Sequence, residues 1–262
     1  SPRFEAASIL ACRNLNIPSI QILDLFGDDF PLPSANYIIV MGDYVANKLK
    51  NQIRNSKILA LGQPVFEKTV KSVKQINSIK IKNEIGLSLE SKIITFAPCP
   101  YIKYDENFKI IHYEKTNRHN DEIFKIFSDL TNLGFQVLVK IHPSSDSESN
   151  YFKYINNKNI FLIDNQTYSI YDTISVSDCF VSFNSTTILE AILCGKIGVS
   201  FNYNEKDIYN NEFKDSPFFH SKSIKELKKT ILNSFKQKKF KNEMIYSRNF
   251  TTKFDNFLKS II

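Results

Sequence analysis

The sequence predicts an α/β fold of two doubly wound, parallel-sheet units, the N-terminal one incomplete. Short apolar runs alternate with stretches of helical period, glycine and proline punctuate the joins, and the alternation restarts after a lysine-rich interruption. Strands read as near-continuous apolar runs, which is the pattern of a parallel sheet buried on both faces.

The elements follow in order. Ser1 suits an N-cap and Pro2 a first helical position, and Phe4, Ala7, Ile9, Leu10 and Leu15 give that helix an apolar side. Asn16-Ile17-Pro18 breaks it, and Ser19–Leu23 reads as a buried strand. Gly27–Ser34 is loop, Asn36–Met41 a second strand, Asp43–Arg54 a helix and Lys57–Leu61 a third strand. Residues 1–64 make the first unit, and 65–90 a linker with some helix. The second unit, 91–241, has strands at Lys92–Ala97, Gln136–Ile141, Asn159–Ile163, Cys179–Phe183 and Ile197–Phe201. Its helices fall near 119–133, 147–156, 168–176, 185–194 and 222–240, and 242–262 is a helical tail. About three strands are half of an ordinary six-strand sheet of this kind, and the chain starts in mid-pattern. Either an upstream portion is missing from it, which is the expectation, or the first domain is naturally small.

With 262 residues, 42% of them hydrophobic and 23% charged, the composition is that of a soluble globular protein. No apolar run approaches the ~20 residues of a membrane span, and no signal-peptide pattern opens the chain. Cys12, Cys99, Cys179 and Cys194 form no CxxC pair and read as buried thiols of a cytoplasmic protein. Residues 222–241 hold eight lysines against one acid, Glu226, an excess that equals the +7 charge of the whole chain. This is either a solvated helix face or a patch for a phosphate-bearing acceptor or an anionic membrane surface, the last of which would make the protein peripheral at the inner membrane face. Nucleic acid is excluded as a partner, because no aromatic platform interleaves with the basic residues.

Two stretches carry chemistry. In Phe180–Lys196 an apolar strand runs into Asn184-Ser185-Thr186-Thr187 and then a helix that ends at Gly195. Free N–H groups, the positive end of the helix dipole and hydroxyls meet there and suit the phosphates of a nucleotide. Plain capping is the structural alternative, although it needs only one such residue. Glu190 shares a helix face with Thr186 and suits ribose hydroxyls. In Val137–Pro143 a strand ends in His142, which Pro143 holds extended. An imidazole at the carboxyl end of a parallel strand lines the ligand crevice, where it neutralises a departing phosphate or protonates it. Lys140 adds positive charge.

In this order and spacing the two stretches resemble the C-terminal domain of GT-B enzymes. The resemblance is to the group of CDP-glycerol glycerophosphotransferases, bacterial sialyl- and polysialyltransferases and capsule-polysaccharide transferases. His142-Pro143 is similar to their His-Pro motif and Ser185-Thr186-Thr187 to their Ser/Thr motif, with Glu190 in place of the ribose-binding acid. Gly62-Gln63-Pro64-Val65-Phe66 resembles the Gly-x-Pro-x-Phe-Asp that closes their N-terminal domain, with Glu67 for the aspartate, and Thr95–Pro98 resembles the first strand of their C-terminal domain.

The resemblance implies a GT-B-like fold and a metal-independent glycosyltransferase without cofactor. Such an enzyme takes a nucleotide-sugar donor and transfers a sugar or sugar-like unit to a polysaccharide or glycolipid acceptor. It implies donor contacts by His142, Ser185, Thr186, Thr187 and Glu190, to which charge and the polar turn add Lys140 and Asn184; His142 and Asp24 are the candidate catalytic residues, with a turn or capping aspartate as the alternative for Asp24. Asp24 enters because the family's His-Gly has no clear counterpart and Ile20–Gly27 occupies its place, so the resemblance does not carry glycerol phosphate over as the transferred unit. Tyr101, Tyr104, Arg118 and His119, in the irregular stretch Cys99–His119, are candidates for acceptor contact. His112 and His220 lack metal-ligand spacing, and no metal is expected. Two other functions stay open. A UDP-N-acetylglucosamine 2-epimerase-like enzyme shares the architecture but carries glycines where this chain has Phe183-Asn184-Ser185-Thr186. A non-catalytic GT-B fragment would keep nucleotide affinity alone.

Overall fold

The computed structural model describes residues 2–23, 34–98, 101–104, 110–114, 119–142, 147–164, 166–183, 185–203, 219–237 and 246–261. The elements of the first half are α1 (Pro2–Asn14), β1 (Ile20–Ile22), β2 (Tyr37–Ile39), α2 (Asp43–Lys50), β3 (Lys57–Leu59), α3 (Pro64–Gln75), α4 (Ser78–Ile85), β4 (Ile93–Ala97), β5 (Tyr101–Tyr104), β6 (Ile110–Glu114) and α5 (Asn120–Thr131). They are followed by β7 (Gln136–Lys140), β8 (Ile160–Ile163), α6 (Ile170–Val176), β9 (Cys179–Ser182), α7 (Thr186–Leu193), β10 (Ile197–Phe201), β11 (Phe219–Ser221), α8 (Ile224–Lys236) and α9 (Phe250–Ile261). The chain is α/β, and it divides into two compact units: Ser1–Lys68 with Lys241–Ile262, and Thr69–Phe240.

The first unit holds a three-stranded parallel sheet in the order β1-β2-β3, with Ile20 opposite Tyr37 and Tyr37 opposite Lys57. Alternation along β2 separates Ile38 from Tyr37 and Ile39. The second set meets α9: Phe250 and Phe257 pack with Ile39, and Ile20, Tyr37, Leu59 and Leu61 close around them. Phe257 lies edge-on to Tyr37 at 5.1 Å between ring centroids. Burial of these two phenylalanines stabilises the unit by roughly 3–6 kcal/mol. The terminal helix is therefore the cover of this sheet, a role that its amphipathic pattern alone does not disclose.

In the second unit six parallel strands stand in the order β8-β7-β4-β9-β10-β11. Numbered along the chain this is the 3-2-1-4-5-6 order of a doubly wound sheet, with its switch point between β4 and β9. One face packs on α5 and α8 through a core that includes Phe96, Phe124, Phe127, Val139, Val181, Phe201, Leu227 and Ile231. The other face buries Ile93, Leu138 and Ile163 with Leu87 and Val176, and Ala97 and Phe180 with Ile174 and Ala191. The period of two along each strand sorts these residues cleanly.

The helix expected within residues 65–90 comprises α3 and α4; the Asn77 side chain caps α4 by accepting from the Lys80 N–H. Elsewhere the structure corrects the sequence expectations. Within the irregular stretch lies an antiparallel pair, β5 with β6. Residues 147–156 are not a helix: a 3-10 turn at Glu148–Asn150 gives way to further turns. Tyr151 is wholly buried there and Tyr154 stacks on Phe124 at 4.0 Å, so tertiary packing overrides the helical pattern. β11, which no sequence signal announced, adds the sixth strand.

Gly62 has φ +105°, and a Cβ there would lie 2.3 Å from the backbone oxygen of Ser247. The Ser247 N–H donates to Met41 O at 2.7 Å, which fixes the clash partner in place. Gly62→Ala should therefore cost at least about 2 kcal/mol, read as a lower urea midpoint with an unchanged slope.

Candidate functional site

The carboxyl ends of β7, β4 and β9 place the two motifs. Phe96 of β4 is opposite Val139 on one side and Val181 on the other, so those two valines are level across the central strand. The chain reaches His142 two residues past the end of β7 and the Ser185 N-cap three residues past the end of β9. Along β7, Leu138 and Lys140 share one face. α7 covers that same face: a Cβ on Gly198 would lie 2.5 Å from Ile192 Cδ1 and 2.8 Å from Ile188 Cγ2. His142 and the start of α7 thus both lie at the carboxyl edge of the sheet.

Ser185 is the N-cap of α7, and its hydroxyl accepts from the Thr187 N–H over a long 3.4 Å. It also shares a 2.8 Å hydrogen bond with the Thr187 hydroxyl. Ser185, Thr186 and Thr187 are all half-buried, and no acid lies in the first turn of α7. A helix start with hydroxyls and without a carboxylate is suited to an anion.

Glu190 lies one turn further along α7. Its Oε2 accepts from the Thr69 hydroxyl at 2.6 Å, and Thr69, in α3, is wholly buried. Burial pushes the Glu190 carboxyl above its ordinary range, and the Thr69 bond opposes this only in part. Sequence reasoning missed Thr69, since nothing local in the lysine-rich stretch around it marks a partner 121 residues away.

Lys140 has a different role from the phosphate contact expected of it. Its ammonium is buried and donates to Asp164 O at 2.8 Å and to Tyr168 O, fastening the β8–α6 connection. Burial lowers its pKa to about 8. Asp24, Pro143, Asn184 and Arg118 lie outside the described residues, as do the side chains of Tyr101, Tyr104 and His112. His119 stacks on Tyr203, with centroids 4.8 Å apart. His220 shares a 2.6 Å hydrogen bond with Ser200, and burial lowers its pKa. Among the described residues no group of three or more His, Cys, Asp and Glu is placed to hold a metal ion, and no helix is long and apolar enough to cross a membrane. Cys179 is buried, whereas Cys12 and Cys194 are half-buried rather than fully inside as expected; burial raises Cys194 to about 11.

The family model for CDP-Glycerol:Poly(glycerophosphate) glycerophosphotransferase matches residues 31–194, more than half of the chain and all of the motifs just described except Asp24. The chain belongs to the CDP-glycerol glycerophosphotransferase family. Among solved structures it is similar to the UDP-GlcNAc 2-epimerase of Methanocaldococcus jannaschii, at 13% identity and TM-score 0.65 over 97% of this chain and 74% of that one. The Neisseria meningitidis UDP-GlcNAc 2-epimerase, bound to UDP-GlcNAc, matches at 15% identity and TM-score 0.62 over 97% and 73%. The wall teichoic acid polymerase TagF matches at 16% identity and TM-score 0.47 over 87% and 58%, so this family member spans little more than half of TagF. At such identities the likeness to the epimerases is one of fold, and the fold is GT-B-like, as the sequence implied. No curated protein matches the chain.

The raised Glu190 carboxyl sets a pH dependence for this family member. Its folded state holds the Glu190 proton more tightly than the unfolded chain, whose value is 4.5. Stability should therefore fall as pH rises from about 4.5 through the elevated folded value. Glu190→Gln, which still accepts from Thr69, removes that step. Melting curves should show the variant at least as stable at pH 7 and indistinguishable from the parent below pH 4.5; a less stable variant at pH 7 would contradict the assignment.

Proposed function

We propose that the chain binds a nucleotide-activated donor on its second unit and transfers the activated group to a surface-polysaccharide or glycolipid acceptor. The observation that carries this reading is the acid-free, hydroxyl-lined start of α7, at the same carboxyl edge of the sheet as His142. Family membership supports CDP-glycerol as the donor. In that case an acceptor hydroxyl attacks the phosphorus next to glycerol, the bond from that phosphorus to the bridging oxygen breaks, and CMP leaves with the electron pair. The α7 amides, Ser185 and Thr187 hydroxyls and His142 offset the charge on the leaving phosphate, and His142 can donate a proton to it. Asp24 is the proposed acceptor of the attacking hydroxyl's proton. No metal is invoked.

The charge of α8 supports a place at an anionic membrane surface. Lys222, Lys225, Lys229 and Lys236 are exposed there, while Lys228 pairs with Asp129 at 2.8 Å. About 1 kcal/mol per lysine near such a surface would suffice for reversible binding. Co-sedimentation with phosphatidylglycerol vesicles should be strong in low salt and lost in high salt; binding indifferent to salt would remove this part of the reading.

The second reading, an epimerase acting on UDP-N-acetylglucosamine, is favoured by the fold likeness alone. Calorimetry with CDP-glycerol, CDP, CMP, UDP-N-acetylglucosamine and GDP-linked ligands separates the readings. CDP-glycerol should bind, and His142→Ala and Ser185→Ala should each weaken it about tenfold, one charge-assisted hydrogen bond's worth, with little change in melting temperature. Failure of every ligand to bind at millimolar concentration would end the proposal. Turnover of UDP-N-acetylglucosamine would promote the epimerase, and binding without transfer would favour a non-catalytic unit.

A further inference from the structure

The two helices that leave the switch point open with opposite charge character. α7, after β9, has no acid in its first turn, whereas α5, which follows β4 and its hairpin, carries Asp121 and Glu122 there. Glu122 complements the positive end of the α5 dipole, and Asp121 beside it pairs with Lys153 at 2.7 Å and accepts from the Tyr154 hydroxyl. The acid-free start of α7 therefore suits phosphate better than the start of α5 does.

Asn120 is the first residue of α5 and is 1% exposed. Neither its Oδ1 nor its Nδ2 has a hydrogen-bond partner. Exchanging the two atoms changes nothing, because both lack partners. A buried carboxamide in that condition is destabilising and calls for an occupant. Among the described residues only Ser56 Oγ and Asn202 Oδ1 share it, and Asn202 directly precedes Tyr203. His119, one residue before Asn120, stacks on Tyr203, which in turn packs on Phe183 at 4.6 Å. Phe183 leads into the turn that starts α7. Asn120 is thereby anchored to the same carboxyl edge of the sheet as the anion site.

We propose that Asn120 reads the uncharged, hydroxyl-bearing part of the donor while the phosphates lie at the start of α7. This rests on the donor-site reading above and adds the direction in which the donor lies. A hydroxyl donates and accepts at once and so satisfies both Oδ1 and Nδ2, whereas a phosphate oxygen only accepts. The hydroxyls of glycerol and those of a sugar ring share this chemistry.

Calorimetry on the full chain tests it with CDP-glycerol, CDP, UDP-N-acetylglucosamine and UDP, beside melting curves without ligand. Asn120→Leu removes two unpartnered polar atoms at similar volume, so the ligand-free variant should melt no lower than the parent. It should bind CDP-glycerol about tenfold more weakly and CDP unchanged. If the selective loss appears instead between UDP-N-acetylglucosamine and UDP, the hydroxyls read are those of a sugar. Asn120→Ala, which adds no branched bulk, carries the same comparison should the leucine variant fail to fold. Equal losses for the compound with and without its hydroxyl-bearing unit, or no loss at all, overturn the assignment. So does a lower melting temperature with unchanged affinities, which makes Asn120 a structural amide. A parent chain that binds none of the four removes the donor site itself, an outcome distinct from CDP binding that is insensitive to Asn120.

Discussion

The hydrogen bonding of β4 to β7 on one side and to β9 on the other governs the whole candidate site. β4 is buried along its length, with Ile94 and Phe96 in one core and Ile93 and Ala97 in the other. A one-residue slip against either neighbour would exchange these sets between faces, so the register is strongly specified. Because the strands are parallel, every connection out of β4, β7 and β9 leaves from the same edge. His142, the hydroxyls of Ser185 and Thr187, and Asn120 reach that edge because the cores beneath them admit one register. The Ser182 hydroxyl adds a local tie by donating to Ala97 O at 2.5 Å.

Much of this was legible in the residues. Apolar runs such as Val137–Ile141 and Cys179–Phe183 are long enough, and poor enough in polar residues, to be central parallel strands. Asn184–Thr187 reads as a helix start because those residue types compete for backbone N–H groups. What escaped was set by partners far away in the chain. Residues 147–156 have a helical composition, yet burying Tyr151 and stacking Tyr154 on Phe124 requires turns. The three residues of β11 are too few for a periodic signal, and the strand exists because β10 offers it an edge.

The role of Lys140 was illegible for the same reason. A lysine at the end of a strand next to a proposed phosphate site invites a charge-pairing interpretation. Its ammonium instead satisfies the carbonyls of Asp164 and Tyr168, two acceptors whose position depends on how β8 connects to α6. Asn120 shows the converse. Asparagine near a helix start is ordinary in sequence, and only the count of its partners in three dimensions makes it unusual.

Charge therefore has to be supplied sparingly at the proposed anion site. Lys140 is held by carbonyls and its pKa is lowered to about 8 by burial, so it brings no unengaged ammonium to the start of α7. What the described residues bring there is a helix terminus, worth about half an elementary charge, the hydroxyls of Ser185 and Thr187, and the His142 imidazole. Glu190 is set one turn along α7, its carboxyl raised by burial and restrained by the Thr69 hydroxyl. A site assembled from dipoles and hydroxyls grips a phosphate by geometry more than by net charge, so a released anion can leave more readily than from a cluster of arginines. For the proposed transfer, which would shed a phosphate-bearing product on every turn, weak charge and strict register are a consistent pair.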